Sequence, residues 1–378
     1  MQNPEKKSSE PKNKASNFAK IKELEDEISK TKYNKKTQGH IGLVKAKIAL
    51  LKEKEIQRSK GKGKQEGYSV KKTGNATVIM VGFPSVGKST LLNAITNANS
   101  AVAAYAFTTL TVIPGLLEHN HAKIQVLDVP GIVEGAASGR GRGKEVLACA
   151  RAADLVIFLI DALYPEHYEV LKKEVYETNL RVNQRRPDVK LVKKEKGGIN
   201  ILSTVKLTKI DKETIKKVLE EFRFNNVDLV IRTDIDVDQL IDIIEGSKKY
   251  IPAVTVVNKM DLVSPEQLQK IKESIRPDLF ISAEQKINTE VLKDLIFKKL
   301  DFIRIYLKEI GKKPDMEEPM IMLRGCTLEE LCRTIHRDFV DKFRFARVWG
   351  SSVKFPGQAL RKLSHVLVDN DVVELHIS

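Results

Sequence analysis

The feature that most constrains this chain is a short strand that runs directly into a glycine-rich loop and then into a helix. Residues 76–81 (ATVIMV) carry no charge and are mostly β-branched, which predicts a buried strand. The next residues, 82–89 (GFPSVGKS), have the spacing G-x-x-x-x-G-K-S, and a helix is predicted over 90–97. An ordinary glycine-rich turn is the alternative, but the flanking strand and helix favour a polyphosphate site.

Each residue type in this loop has a physical reason for its position. Glycines let backbone N–H groups approach phosphate oxygens, and the helix N-terminus adds a partial positive charge. We assign Lys88 to the outer phosphates and the hydroxyl of Ser89 to a magnesium ion. The predicted nucleotide contacts in this stretch are Gly82, Phe83, Pro84, Ser85, Val86, Gly87, Lys88, Ser89 and Thr90.

Length and cysteine content bound the class of protein. The 378 residues have room for two or three domains. There is no long apolar run and no apolar leader, so neither a membrane span nor a secretory signal is expected. The three cysteines form no C-x-x-C pair, which favours a reducing, cytoplasmic location. Cys332 and His336 lie four apart on a predicted helix, and core packing is favoured over a metal site.

Positive charge is concentrated near the start of the chain. Residues 1–73 hold 20 Lys or Arg against 9 Asp or Glu, a net of +11 out of the chain's +15. Such a field favours a phosphate-rich partner such as RNA, and a solvated tail that only aids solubility is the alternative. Residues 1–15 are predicted to be disordered, and helical spacing of apolar residues predicts a hairpin of two helices over 15–31 and 39–58.

Two further motifs are candidates for binding a metal ion and a terminal phosphate. A Thr-rich stretch over 105–115 offers Thr108 or Thr109 to magnesium, with a Thr-rich strand edge as the alternative. Asp128 ends a predicted strand and can hold magnesium through water, while Gly131 can present its N–H to a γ-phosphate. The alternative for this second motif is an ordinary strand-ending turn.

The motif Asn258-Lys259-Met260-Asp261 follows another apolar strand and predicts which base is bound. A carboxylate at Asp261 accepts hydrogen bonds from guanine N1–H and its exocyclic amine, a donor pair that adenine lacks. Asn258 is placed at the base edge, and Lys259 along the ring and against the phosphate loop. Ser282 and Ala283 let the backbone approach guanine O6. The predicted ligands are therefore GTP and GDP.

The five motifs stand in the order used by translation-factor-type GTPases, and the chain closely resembles the developmentally regulated GTP-binding (DRG) proteins of the Obg group. Matching stretches include GFPSVGKSTLLNAIT, YAFTTLT.IPG, LDVPGI.EGAA.G.GRG and RVWGSSVKFPGQ. The resemblance implies an α/β P-loop GTPase fold, with a mostly parallel sheet flanked by helices. It also implies an N-terminal helical hairpin, an inserted α+β (S5D2-like) segment and a C-terminal β-grasp TGS domain.

The expected domains are a basic N-terminal helical region (1–71), a GTPase domain (72–312) and a TGS domain (313–378). The insertion is expected at about 183–248, and a helical pattern over 289–308 is expected to close the GTPase domain.

The resemblance implies a Mg²⁺-dependent GTPase that hydrolyses GTP to GDP and phosphate as a ribosome- or RNA-associated switch in translation or ribosome function. A GTP-gated tethering module with negligible hydrolysis is the alternative. Ile132 stands where Ras-type proteins place a water-orienting Gln, so we expect slow turnover, with K⁺ as one candidate aid. A partner protein and a monomeric chain are expected, without membrane or DNA. The expected catalytic residues are Lys88, Thr109 and Gly131, and the expected metal ligands are Ser89, Thr109 and, in the outer shell, Asp128.

Overall fold

The computed structural model describes residues 12–32, 34, 37–59, 74–96, 113–128 and 152–378. The first helices are α1 (Lys12–Lys30), α2 (Gln38–Ser59), α3 (Lys88–Ile95) and α4 (His167–Glu177), and the first strands are β1 (Ala76–Val81), β2 (Ile113–His119), β3 (Ala122–Asp128), β4 (Leu155–Asp161) and β5 (Leu180–Val182). The insertion contains β6 (Val189–Lys193), β7 (Ile199–Ser203), α5 (Lys212–Glu221), β8 (Val227–Ile231) and α6 (Val237–Glu245).

The chain continues through β9 (Lys249–Ile251), β10 (Ala253–Asn258), α7 (Pro265–Ile275), β11 (Leu279–Phe280) and α8 (Thr289–Leu300). The last elements are β12 (Phe302–Leu307), β13 (Met320–Leu323), α9 (Leu328–Ile335), α10 (Asp338–Asp341), β14 (Phe343–Trp349), β15 (Gln358–Leu360) and β16 (Asp371–Ile377). None of the helices in the described ranges combines the length and apolarity needed to cross a membrane.

The chain divides into two compact units. One combines the described part of residues 1–66 with Arg185–Lys248, and the other combines the described part of 67–184 with Lys249–Ser378. The second unit holds both a six-stranded sheet and a five-stranded C-terminal sheet. The first holds the N-terminal helices and a three-stranded sheet.

The six-stranded sheet has the order β11-β10-β4-β1-β3-β2, and only β2 runs antiparallel to its neighbour. Side chains of β1 alternate between two cores: Val78 and Met80 face one, and Ile79 and Val81 face the other. Both faces are therefore buried, as is typical of a central parallel strand. Helices α3 and α8 contribute to the first core, and α4 and α7 to the second. The predicted parallel sheet flanked by helices is confirmed.

The parallel strands bring the polar motifs to one edge of this sheet. Gly82 follows β1, Asp128 ends β3, Asp161 ends β4, and Asn258 ends β10. Strand β1 lies between β3 and β4. The strands that follow β1 in the chain are therefore added first on one side of it (β2 and β3) and then on the other (β4, β10 and β11), so the strand order reverses at β1. Ligands of open parallel sheets bind at the carboxyl ends of the strands where the order reverses in this way.

The C-terminal sheet has the order β13-β12-β16-β14-β15, with β12 and β16 parallel and the other pairs antiparallel. Helix α9 packs against it through Leu328 and Leu331. Thr327 caps this helix: the Glu330 N–H donates to Thr327 Oγ1 at 3.3 Å, and the Thr327 N–H donates to Glu330 Oε2 at 3.0 Å. Cys332 is fully buried, as expected, whereas the side chain of His336 is exposed.

The predicted helix over 289–308 is wrong in its last part. Helix α8 ends at Leu300, Asp301 adopts a left-handed conformation with φ 50°, and the following residues form strand β12. Ile303 and Ile305 are buried and Arg304 between them is exposed, which is the alternation typical of a strand. The apolar residues that predicted a helix here belong instead to a strand of the C-terminal sheet. The strand pairs with β13 and β16, and it therefore lies in the C-terminal sheet although it precedes residue 313.

In the other unit, β6 and β7 flank β8, and helices α5 and α6 cover one face of this small sheet. The N-terminal hairpin packs on the same helices through α2, which contributes Ala46 to their core. Lys45 Nζ donates to Asp238 Oδ2 at 2.6 Å, and the Gln38 side chain donates to the backbone carbonyl of Lys209. Helix α2 and the insertion thus share one core, which the sequence did not predict.

Candidate nucleotide site

The loop between β1 and α3 forms a tight backbone cradle. Ser85 and Gly87 have left-handed φ values of 61° and 94°, and α3 begins immediately afterwards at Lys88. A Cβ atom on Gly87 would lie 2.6 Å from Asn258 Nδ2, and one on Gly82 would lie 2.7 Å from the carbonyl oxygen of Leu159. Both positions therefore require glycine, and the loop backbone can approach an anionic ligand closely.

The side chain of Lys88 lies inside this cradle. Its Nζ donates to the carbonyl oxygens of Gly82 and Phe83, each at 3.0 Å. These bonds hold an ammonium group at the start of a helix, where the helix dipole already favours negative charge. The arrangement suits the outer phosphates of a nucleotide, as the sequence predicts.

Asp128 and Ser89 form the candidate metal position. Ser89 Oγ donates to Asp128 Oδ2 at 3.4 Å, so β3 and α3 bring together two residues that the sequence paired only by motif. Asp128 is 6% exposed, and its Oδ1 has no hydrogen-bond partner among the described residues. Burial raises the pKa of this carboxyl above its ordinary value of 3.8, against the charge of Lys88 and the bond from Ser89. A hydroxyl beside a buried, incompletely bonded carboxylate suits Mg²⁺, a hard cation that prefers oxygen ligands.

Asn258 is the residue that joins the phosphate loop to the base motifs. It is 2% exposed; its Nδ2 donates to the carbonyl of Val86 at 2.8 Å, and its Oδ1 accepts from the Ala283 N–H at 2.9 Å. The sequence placed Asn258 at the base edge and assigned the bracing of the phosphate loop to Lys259. In the structure Asn258 braces the loop, because both ends of its amide are used by backbone groups.

Lys259 has a different partner from the one expected. It has a left-handed φ of 63°, and its Nζ lies 2.7 Å from Asp161 Oδ2 at the end of β4. Asp161 Oδ1 also accepts from the Leu163 N–H at 2.9 Å, so this buried carboxylate is held in place on both sides. Sequence reasoning missed this role of Asp161, although its position at the end of a parallel strand beside β1 is a usable signal.

The carboxylate predicted to select guanine lies at the surface. Asp261 belongs to a 3₁₀ turn after β10, and its Oδ2 accepts from Gln285 Nε2 at 3.3 Å. The Gln285 N–H donates to Ser282 Oγ at 3.2 Å, and Ser282 pairs with Ile287 to close a short loop. This loop presents the Ala283 N–H and supports Asp261 from one side.

Several predicted residues lie outside the described part of the chain. These are the Thr-rich motif with Thr108 and Thr109, and the residues Gly131 and Ile132. Their roles stay predictions. In the described ranges no group of three or more His, Cys, Asp or Glu side chains is placed to hold a metal ion by itself.

Three family models match successive parts of the chain. Residues 77–194 match a model described as a 50S ribosome-binding GTPase, and residues 196–302 match one described as the C-terminal region of the MMR_HSR1 domain. Residues 303–377 match the TGS domain. The last match begins within β12, in agreement with the pairing of that strand.

Relatives match the chain over nearly its whole length. The chain is 51% identical over 361 residues to an uncharacterized GTP-binding protein of Methanocaldococcus jannaschii, covering 94% of this chain and 92% of that protein. It is 44% identical over 361 residues to developmentally-regulated G-protein 3 of Arabidopsis thaliana, with coverages of 94% and 97%. It is 43% identical over 359 residues to a Dictyostelium discoideum homolog of developmentally-regulated GTP-binding protein 2, with coverages of 94% and 98%.

Proposed function

This chain belongs to the family of developmentally regulated GTP-binding proteins, and from that premise we propose a Mg²⁺-dependent GTPase that acts as a ribosome- or RNA-associated switch in translation or ribosome function. Membership in the family, with its GTPase and TGS domains, identifies a GTP-binding protein of the P-loop GTPase class. The reaction is hydrolysis of GTP to GDP and phosphate.

The clamp made by Asn258 carries the proposal. One buried amide bonds the phosphate loop through Val86 and the base loop through Ala283, so the two halves of a nucleotide site are held at a set separation. Each motif taken alone could occur in a sequence by chance. Chance does not explain why the side chain of Asn258 bonds the backbone of both loops in the folded chain. This geometry supports a ligand with a purine base at one end and a polyphosphate at the other.

The residues of the site have separate roles in binding the phosphates, the base and the metal ion. Lys88 binds the outer phosphates and stabilises the negative charge that develops on them during transfer to water. Asp261 accepts the N1–H and amine of guanine, and Asn258 and Lys259 hold this turn against the phosphate loop and β4. The expected metal ligands are Ser89 and Thr109, with Asp128 in the outer shell. A Mg²⁺ ion held there would neutralise negative charge on the nucleotide phosphates.

Slow intrinsic turnover is part of the proposal. Ile132 follows Gly131 where a water-orienting Gln is found in Ras-type proteins, and an aliphatic side chain cannot hydrogen-bond water. Stimulation by a ribosome, a partner protein or K⁺ then supplies the missing water positioning. The same residue favours the second candidate, a GTP-gated tethering module with negligible hydrolysis.

The proposed partner is ribosomal or other RNA, and charge supports it. The N-terminal region carries a net charge of +11, and exposed lysines such as Lys20 and Lys22 lie on α1. The model matched over 77–194 bears a ribosome-binding description, which is consistent with this partner.

Multiple-turnover phosphate release tests the activity. GTP is supplied with Mg²⁺ or with excess chelator, in Na⁺ or K⁺ buffer, with and without ribosomes. We expect release that requires Mg²⁺ and is stimulated by ribosomes, and we expect Lys88→Ala to abolish it. Lys270→Ala, at an exposed lysine of α7, is the matched control. If the protein binds GTP tightly but ribosomes do not stimulate phosphate release, the switch hypothesis is wrong and the tethering module is favoured.

Charge reversal tests the partner surface. Lys20→Glu with Lys22→Glu on α1 is expected to remove ribosome stimulation while intrinsic hydrolysis stays unchanged. The matched control reverses Lys270 and Lys272, which have the same spacing and are also exposed on a helix. Equal stimulation in both double variants would show that the N-terminal charge does not carry the interaction.

A further inference from the structure

The segment from Asp161 to His167, between β4 and α4, contacts both halves of the nucleotide site. At its start Asp161 holds Lys259 of the base motif at 2.7 Å. At its end the imidazole of His167 stacks on the ring of Phe83 in the phosphate loop, with centroids 3.9 Å apart and planes inclined by 19°. His167 belongs to none of the nucleotide-binding motifs.

Phe83 is a sensitive point of the phosphate loop. Its carbonyl oxygen accepts one of the two bonds from Lys88 Nζ, and its ring is half-buried against the core shared by β4 and α4. The ring and the carbonyl belong to one residue, so a shift of the ring changes where Lys88 is held. The stacking partner of Phe83 therefore bears on the position of the ammonium group that binds phosphate.

His167 is well fixed for this contact. It is the first residue of α4, which is anchored by buried Leu171 and Val175. The His167 N–H donates to the Tyr164 carbonyl at 3.2 Å, and the Tyr164 ring lies 5.4 Å from the imidazole at an inclination of 21°. Helix packing, a turn hydrogen bond and a second ring thus hold the imidazole against Phe83.

We propose that His167 is a positioning residue of the phosphate loop: its ring fixes Phe83, whose carbonyl accepts from Lys88, so that the ammonium group is in place for the nucleotide phosphates before binding. The inference rests on the proposed assignment of residues 82–89 as the phosphate site. It predicts an effect on phosphate binding that leaves base selection unchanged, because the side chain of Asp261 bonds Gln285 and that of Asn258 bonds the backbone of Val86 and Ala283, whereas the stack joins His167 to Phe83.

The test measures dissociation constants for GTP, GDP and ITP in full-length variants of His167. His167→Ala is expected to weaken GTP and GDP binding by about three- to tenfold, the range that a lost aromatic pair supports. The ratio of GTP to ITP affinity stays constant. His167→Phe restores binding to within about twofold because a planar ring remains, whereas His167→Leu, which fills the space without a planar ring, does not.

His376→Ala is the matched control. It removes a His–Phe stack of similar geometry, with centroids 4.1 Å apart and an inclination of 12°, in the C-terminal sheet. We expect it to leave nucleotide affinity unchanged even where it lowers the melting temperature.

A double-mutant cycle with Phe83→Ala completes the test, and the combined variant is expected to be no weaker than Phe83→Ala alone. The inference is overturned if His167→Ala binds GTP as the unaltered chain does, if His167→Leu matches His167→Phe, or if the two losses add. Failure of the underlying site has a separate signature: Lys88→Ala would then keep full GTP affinity.

Discussion

Replacing Asn258 with Ala removes the central clamp of the nucleotide site, and its cost follows from the structure. The amide makes two hydrogen bonds at 2.8 and 2.9 Å to the backbone of Val86 and Ala283, both buried residues. Its removal loses these bonds and leaves a carbonyl and an N–H without partners. Together these losses are worth about 2–4 kcal/mol of the free energy of unfolding.

Part of this loss should appear in ligand binding. The clamp holds the phosphate loop and base loop in the arrangement that a nucleotide needs, and each 1.4 kcal/mol of lost preorganisation weakens binding about tenfold. We therefore expect Asn258→Ala to weaken GTP binding at least tenfold. Saturating GTP should recover only part of the lost stability, by mass action.

Urea unfolding with and without GTP, together with direct measurement of GTP affinity, provides the assay. Asn226→Ala is the matched control, because that side chain also bonds two backbone groups, the Gly198 N–H at 2.9 Å and the Glu195 carbonyl at 3.2 Å, but these bonds are exposed and lie in the insertion. A loss below about 1 kcal/mol in Asn258→Ala, with GTP affinity within about threefold, would refute the reasoning.

Four other predictions concern single residues. Lys88→Ala should abolish tight GTP binding, and unchanged affinity in a direct binding assay contradicts the phosphate assignment. Asp261→Asn should turn the preference from GTP towards XTP, because an amide can donate to the carbonyl that replaces the guanine amine; competition binding measures this, and retained GTP preference removes Asp261 from base selection. Because the pKa of the Asp128 carboxyl is raised in the folded state, the ligand-free protein should lose stability as pH rises from about 4 through that pKa. Asp128→Asn should therefore raise the free energy of unfolding at neutral pH and flatten its pH dependence, which denaturant titrations without Mg²⁺ measure. Ile132→Ala should leave turnover nearly intact, and a loss on the order of a hundredfold in phosphate release would give Ile132 a part in the chemistry.

Most secondary structure was predictable where local chemistry decides it. The strand over 227–231, the capped helix after Thr327 and the helix after Asp236 follow from apolar periodicity and capping residues. Strand β12 was missed because its six residues follow a helix directly and their apolar pattern also fits a helical face. Its partners β13 and β16 decided the outcome, and the second begins more than sixty residues later in the chain.

The candidate site shows the same division. Lys88, Ser89, Asp128 and Asp261 were predictable because phosphate, magnesium and guanine each require particular groups at short spacings. The supporting residues Asp161, His167 and Gln285 belong to no motif, and each acts only through a neighbour that folding brings to it.

The sequence by itself determined the family, the order of the motifs and the chemistry of the ligand, because these depend on residue types at local spacings. Only the tertiary structure decided that Asn258 rather than Lys259 braces the phosphate loop, that His167 stacks on Phe83, and that helix α2 shares a core with the insertion. The physical reason is distance along the chain: Asn258 and Val86 are 172 residues apart, and only the packing of parallel strands brings their polar groups within hydrogen-bonding reach.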